Sequence, residues 1–251
     1  MEVLFLEAPY SGEVELCLET LKYLKKKKYK TVALYASIQF VHNLDRVRQQ
    51  LQDETIAVVT SHAQRTHVPG QLLGCDVFHD SLNLKKEIIP TIEVYLYIGD
   101  GKFHPYALAY AQKEAVQFKE IICNDPIHKS MMVVDQKEIQ TILGRYKASL
   151  VKFLSSKTVG VISTIKPGQE YLKQSFALEK KFPHKKFFCF IDDTISFNQL
   201  ENFPFIEVWV NTACPRIGID DQKQFQRGVV NMNDALRASE ILSTMGKAAK
   251  Q

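Results

Sequence analysis

The chain has 251 residues, of which 45% are hydrophobic and 24% charged, the balance of a globular protein with room for one large or two small domains. Its net charge of +4, from 32 basic and 28 acidic residues, marks no nucleic-acid face, and no apolar run approaches the ~18 residues of a membrane span. Five cysteines without a CxxC pair argue against a disulfide framework or a zinc ribbon, and the absence of a signal-peptide pattern leads us to expect a cytoplasmic protein.

Glu2–Leu6 is an apolar run almost at the first methionine, expected either as an opening strand or as a sign that something which normally precedes it is absent. Ser11 is an expected N-cap, with Val14, Cys17, Leu18, Leu21 and Leu24 following at helical spacing, so Cys17 is assigned to the core. The run Lys25–Lys28 then completes the helix as a solvated, dipole-complementing end. Strand 31–35, an amphipathic stretch over 41–51 and strand 55–60 follow. This alternation predicts a parallel sheet covered by helices.

The segment 61–75 is irregular and polar, and it contains Gly70, Gln71, Gly74 and Cys75. Irregular segments after a strand are where binding residues concentrate. Strand 93–98 runs into Gly99-Asp100-Gly101-Lys102-Phe103-His104-Pro105, ahead of a helix over 107–112; free amides in such a turn form a cradle for phosphate or carboxylate. His104 is either a ligand-binding group or a structural histidine. Strand 116–123 ends at Cys123, which is read as core, and the domain boundary is placed near 125.

A long helix over 136–154 links the halves. The second half repeats the plan with strand 158–163, the turn Lys166-Pro167-Gly168-Gln169, helix 170–181, strand 187–191 and a short helix at 197–201. Cys189 alternates among phenylalanines and is assigned to the core. The apolar strand Val208-Trp209-Val210 then breaks into Asn211-Thr212-Ala213-Cys214-Pro215-Arg216, with Asp220 and Asp221 just beyond. In open α/β sheets ligands sit outside the carboxyl ends of strands, and Pro215 holds Cys214 extended, so this thiol is presented from a stiff turn. From 231 the chain reads as a terminal helix that frays. The expected architecture is therefore α/β, with two similar domains over 1–125 and 126–251. Each is a mostly parallel sheet of about four strands flanked by helices. A single cysteine is more often a core residue than a ligand, and spacing alone leaves Cys75 and Cys214 open between the two. If both project from strand ends, thiolate ligation of an iron–sulfur cluster becomes their natural use.

Four blocks carry a resemblance: GQLLGCD (Gly70 to Asp76), YIGDGKFHP (Tyr97 to Pro105), STIKPGQ (Ser163 to Gln169) and VNTACPRIGIDD (Val210 to Asp221). In this order they resemble the archaeal and eukaryotic diphthamide biosynthesis enzyme, 2-(3-amino-3-carboxypropyl)histidine synthase, over about residues 1–230. The resemblance implies a 4Fe-4S enzyme of three similar α/β domains, each giving one cysteine to the cluster and leaving one iron open for S-adenosylmethionine. It implies cleavage of the sulfonium to a 3-amino-3-carboxypropyl radical that is added to a histidine of translation elongation factor 2. By the same resemblance Cys75 and Cys214 would be two cluster ligands. Gly70, Gln71, Gly99, Gly101, His104 and Gln169 would line the S-adenosylmethionine pocket. Asp220 and Asp221 would face its amino group or cap the last helix, and Arg216 would steady the cluster or pair with one of them.

The family's N-terminal domain and its cysteine have no counterpart in the sequence. The expectation is a split enzyme completed by a separate chain or by a homodimer, and fed by an electron donor. A non-catalytic supporting subunit is the first alternative. A metal-free nucleotide-binding enzyme using Gly99 and Gly101 ranks last, for want of a GxGxxG fingerprint.

Overall fold

A computed structural model describes residues 9–78, 80–115, 117–165 and 172–248, with backbone alone for 172–174 and 245–248. The expected strand at Glu2–Leu6 lies outside the described residues. The chain divides into two compact units. One extends to Lys113 and resumes over Gln117–Asp135; the other runs from Gln136 onward with the short stretch at Glu114.

The first unit contains α1 (Leu18–Lys27), β1 (Thr31–Ala36), α2 (Asp45–Asp53), β2 (Ala57–Val59), β3 (Val94–Ile98), α3 (Phe103–Ala111), β4 (Glu120–Asp125) and β5 (Ser130–Val133). Its strands lie in the order β2-β1-β3-β4-β5, parallel except for β5, which pairs antiparallel with β4. That hairpin carries the unit past Asp125 to Asp135. Its short strand lacks the strong apolar run that marks the others in sequence. Register aligns Val32 with Val94, Leu34 with Leu96 and Ala36 with Ile98. These side chains share one face with Ile122 and pack against Leu24 of α1 and Val47 and Leu51 of α2. Each buried side chain of this size contributes roughly 1.5–3 kcal/mol relative to exposure. Alternation sends Tyr35, Tyr95, Tyr97 and Cys123 to the opposite face.

The second unit contains α4 (Gln136–Ser155), β6 (Thr158–Thr164), α5 (Leu172–Lys181), β7 (Lys186–Asp192), α6 (Phe197–Leu200), β8 (Val208–Asn211), β9 (Val229–Asn231), α7 (Met232–Leu236) and α8 (Ala238–Ala248). Its sheet is all parallel in the order β7-β6-β8-β9. This is the same winding, second strand then first, third and fourth, as the parallel part of the first unit. Val159, Val161, Val208, Val210 and Val230 meet Tyr146, Leu150 and Phe153 of α4 and Ile241 of α8. At Gly160 on β6 a Cβ would stand 2.3 Å from the Trp209 ring, so this central strand has room only for glycine beside the indole.

Several expectations are corrected. Helix α1 starts at Leu18 with Cys17 at its N-cap, so Ser11 caps nothing there. Val14 and Leu16 are buried from an extended segment, held by Gln50, which accepts the Leu16 amide (2.7 Å); Leu18 faces solvent. Cys17 is half-buried, its thiol 3.2 Å from the Thr20 hydroxyl, and is no core residue. Cys189 is exposed because β7 is the edge of its sheet, where one flank lacks a neighbour. Cys123 is buried as expected, but β4 continues beyond it to Asp125. The stretch over 41–51 splits into a single 3-10 turn (Val41–Asn43) and α2, and α3 begins four residues before its expected start.

Candidate functional site

In the first unit the carboxyl ends of β1 and β3 carry the predicted residues. After β2 the chain loops back so that the Ala36 amide donates to the Gly70 carbonyl (2.8 Å) and the Leu72 amide to the Ala36 carbonyl (2.9 Å), extending β1 by one parallel bridge at Gln71. Gly70 takes φ +81°, a left-handed value that glycine adopts without cost. Gln71 is buried and accepts the His67 amide at its Oε1 (2.8 Å), while its Nε2 makes no hydrogen bond among the described residues. The next turn presents Cys75. Asp76 closes it by accepting the Leu73 amide (2.9 Å), and burial pushes this carboxyl above its ordinary range despite that bond.

The turn after β3 meets the cysteine turn. A Cβ on Gly74 would lie 1.9 Å from the Phe103 ring, which opens α3. Gly99, at φ +152°, lies over the Tyr97 ring, whose hydroxyl would be 2.6 Å from an added Cβ. Gly101 adopts φ +64°, with nothing within 4 Å of where a Cβ would stand. His104, in the first turn of α3, stacks on Tyr97 at 5.9 Å and 11°. Neither Tyr97 Oη nor Ser37 Oγ meets hydrogen-bonding geometry although both are buried. The two hydroxyls still influence each other: burial drives the tyrosine well above its ordinary range, Asp100 adds to this, and Ser37 partly opposes it. Thus Gly70, Gln71, Cys75, Gly99, Gly101 and His104 all lie in the segments at the carboxyl ends of β1 and β3.

In the second unit the Thr212 amide and hydroxyl both donate to the Ile162 carbonyl (2.9 Å each), carrying the pairing of β8 one residue beyond its end. Asn211 then builds the cysteine turn. Its Oδ1 accepts the Ala213 amide (3.1 Å), and its Nδ2 donates to the Cys214 carbonyl (2.9 Å) and to Asn231 Oδ1 (2.8 Å). Asn231 donates in turn to the Pro215 carbonyl (2.8 Å). Arg216 is buried and its Nε donates to Asp220 (2.6 Å), so the guanidinium pairs with an aspartate, one of the two expected uses. Asp220 and Asp221 open a short 3-10 turn (Asp220–Gln224), and neither caps the last helix; Asp221 accepts from Gln224 (2.8 Å). Gln169 lies outside the described residues.

Cys75 and Cys214 are both half-buried in turns at the carboxyl edge of a parallel sheet, but they reach it by different routes. Cys214 follows the third strand of its unit, whereas Cys75 precedes the third strand of its own and arrives through a returning loop. Half-exposed thiols in stiff turns suit a soft metal centre. Of the others, Cys123 is pushed up to about 12 by burial and is held as a neutral thiol. Among the described residues no three His, Cys, Asp or Glu side chains form a metal site. Sequence reasoning missed the asparagines that anchor the Cys214 turn. Their signal was present: Asn211 and Asn231, which hold it, each end a buried apolar run.

Residues 1–246 match the family profile described as diphthamide synthesis protein. The chain belongs to the diphthamide synthesis protein family. Within it, the chain is 30% identical to the 2-(3-amino-3-carboxypropyl)histidine synthase of Pyrococcus horikoshii, over 86% of this chain and 59% of that protein. It is 26% identical to subunit 1 of the Homo sapiens synthase, over 84% of this chain and 45% of that protein. The crystal structure of Dph2 from Pyrococcus horikoshii with a 4Fe-4S cluster superposes with a TM-score of 0.66 at 27% identity, covering 92% of this chain and 62% of that one. The chain therefore spans about half the length of the synthases it matches. Among its described residues no helix is long and apolar enough to cross a membrane.

Proposed function

We propose that this chain supplies two of the cluster cysteines of an iron–sulfur 2-(3-amino-3-carboxypropyl)histidine synthase. The reaction is the first step of diphthamide biosynthesis, transfer of the 3-amino-3-carboxypropyl group from S-adenosylmethionine to a histidine of translation elongation factor 2. The observation that carries this reading is the presentation of Cys75 and Cys214 from turns at the carboxyl edges of two like-wound sheets, in a chain whose family includes a cluster-bearing Dph2.

Cys75 and Cys214 would hold iron as thiolates, two of the ligands that such a cluster takes. A 4Fe-4S cluster, when bound, supplies the electron for sulfonium cleavage. The chain's own residues bind and orient. The turn of Gly99 and Gly101 offers amides to the amino-acid carboxylate, with Gly70 allowing close approach and Gln71 keeping an amide Nε2 to donate. His104 stands at the same edge on Tyr97. The buried Arg216 stabilises the Cys214 turn through Asp220. Gln169 joins this set by its place in the STIKPGQ block.

Equilibrium dialysis of the anaerobically reconstituted chain against labelled S-adenosylmethionine tests the reading. Addition of reductant and elongation factor 2 should then give a histidine carrying the aminocarboxypropyl mass. Binding that is lost in Gly99→Val and Gln71→Leu is expected. A cluster-loaded chain that binds no S-adenosylmethionine would instead make it a supporting subunit.

A further inference from the structure

Strand β7 is the outermost strand of the second unit's sheet, and among the described residues no strand lies on its other flank. It spans seven residues, KFFCFID, with five apolar residues in a row and no proline, and it pairs with β6 without a bulge. Edge strands that stay single are short, bulged, or broken by charges and prolines along their length. The middle of β7 has none of these devices. Phe188 is 38% exposed, Ile191 55% and, beside the strand, Phe205 49%, with the rings of Phe188 and Phe205 in edge contact at 5.0 Å. The Lys186 amide donates to the Lys157 carbonyl (2.8 Å), so the backbone of Lys186 points toward β6, and by alternation so do those of Phe188, Phe190 and Asp192. The N–H and C=O groups of Phe187, Cys189 and Ile191 are turned to the open flank.

We propose that β7 is a self-pairing edge, on which two copies of this chain join antiparallel about a two-fold axis at Cys189. In that register the whole strand is paired. Phe187 stands opposite Ile191 of the other copy and Cys189 opposite its own counterpart, each pair exchanging two backbone hydrogen bonds. Phe188 stands opposite Phe190 in the closer pairs between them, on the face that already carries Phe203 and Phe205, so the exposed rings are covered. The charges decide the occupant. Lys186 and Asp192, both exposed and each three residues from Cys189, fall opposite each other at the two ends. Asp192 is fixed there because its Oδ1 accepts the Asp193 amide (2.8 Å). An unrelated apolar strand would satisfy the middle of β7 but not its ends, whereas a second copy brings an aspartate for the lysine and a lysine for the aspartate. Such a contact uses the same surface on both copies, so it closes as a dimer and does not grow into a fibre.

Sedimentation of the full chain over a range of concentrations, combined with cross-linking by a short bis-maleimide, tests this. A monomer–dimer equilibrium is expected, together with a peptide linked from Cys189 to Cys189, a product that only two copies can give. Lys186→Glu sets acidic pairs across the interface and Asp192→Lys basic ones, so each variant by itself should dimerise about tenfold or more weakly than the parent. An equimolar mixture of the two variants should recover the parent's association, because every facing pair between them is again of opposite sign. Ile191→Pro removes an outward N–H and leaves the pairing with β6 in place, and it should also weaken the dimer. A chain that stays monomeric up to its solubility limit, a dimer that gives no Cys189 link, or a mixture that associates no better than either variant overturns the proposal. None of these readouts depends on the iron–sulfur assignment.

Discussion

A Cβ on Gly74 would stand 1.9 Å from Cε1 of Phe103, so the turn that presents Cys75 and the first residue of α3 occupy adjoining space with nothing to spare. The contact ties the cysteine loop to the glycine turn after β3, two segments nearly thirty residues apart in sequence.

Gly74→Ala should therefore displace one of the two. Because Phe103 is 52% exposed, its ring can swing outward, and the expected cost is about 1 kcal/mol of stability, the lower end for overpacking. Phe103→Ala in the same chain should recover most of that loss, which a double-mutant cycle by urea denaturation would measure. Strictly additive costs would mean that the two residues do not share the space.

Asn211→Ala removes an acceptor for the Ala213 amide and a donor to the Cys214 carbonyl at once. The expected loss is about 1–3 kcal/mol, the cost of leaving buried polar groups unsatisfied. The Cys214 turn should loosen with it, seen as faster alkylation of Cys214 by iodoacetamide. Asn211→Ala with unchanged stability and unchanged Cys214 alkylation would show that the turn is held by other contacts.

Alkaline pH should destabilise the first unit. Burial pushes Cys123 and Tyr95 up to about 12, so both hold their protons in the fold at a pH where the unfolded chain releases them. The unfolded state then binds fewer protons, and unfolding free energy falls as pH rises. Their contribution is fully present below the ordinary thiol and phenol range and is lost progressively as pH climbs toward about 12. Urea midpoints measured from neutral pH upward should decline, and less steeply in Cys123→Val. A flat profile would contradict this.

Much of the fold was legible because buried parallel strands are continuous apolar runs: 31–35, 93–98, 158–163 and 208–210 each lie within a residue or so of an observed strand. The short strands β5 and β9 were not, since they hold four and three residues and their pairing is set by neighbours rather than by pattern. Val14 misled because an apolar residue at helical spacing is also buried from an extended segment docked on a core ahead of the helix. For the site, the glycines and cysteines stood out as residue types that suit turns and ligands. The asparagines that shape the turns did not, because a buried asparagine at a strand end looks like a loop residue until its partners are seen. Nor does sequence tell that Cys75 reaches its edge by a returning loop while Cys214 leaves a strand directly.

The most direct test of the account is anaerobic iron and sulfide reconstitution of the full chain with a thiol reductant present to complete the coordination, followed by iron quantification and electron paramagnetic resonance after reduction. The account predicts a cluster signal that is lost in Cys75→Ala and in Cys214→Ala and retained in Cys189→Ala, whose thiol lies exposed on the edge strand β7. Iron uptake that is absent in the parent chain, or that survives both the Cys75 and Cys214 substitutions, would contradict it.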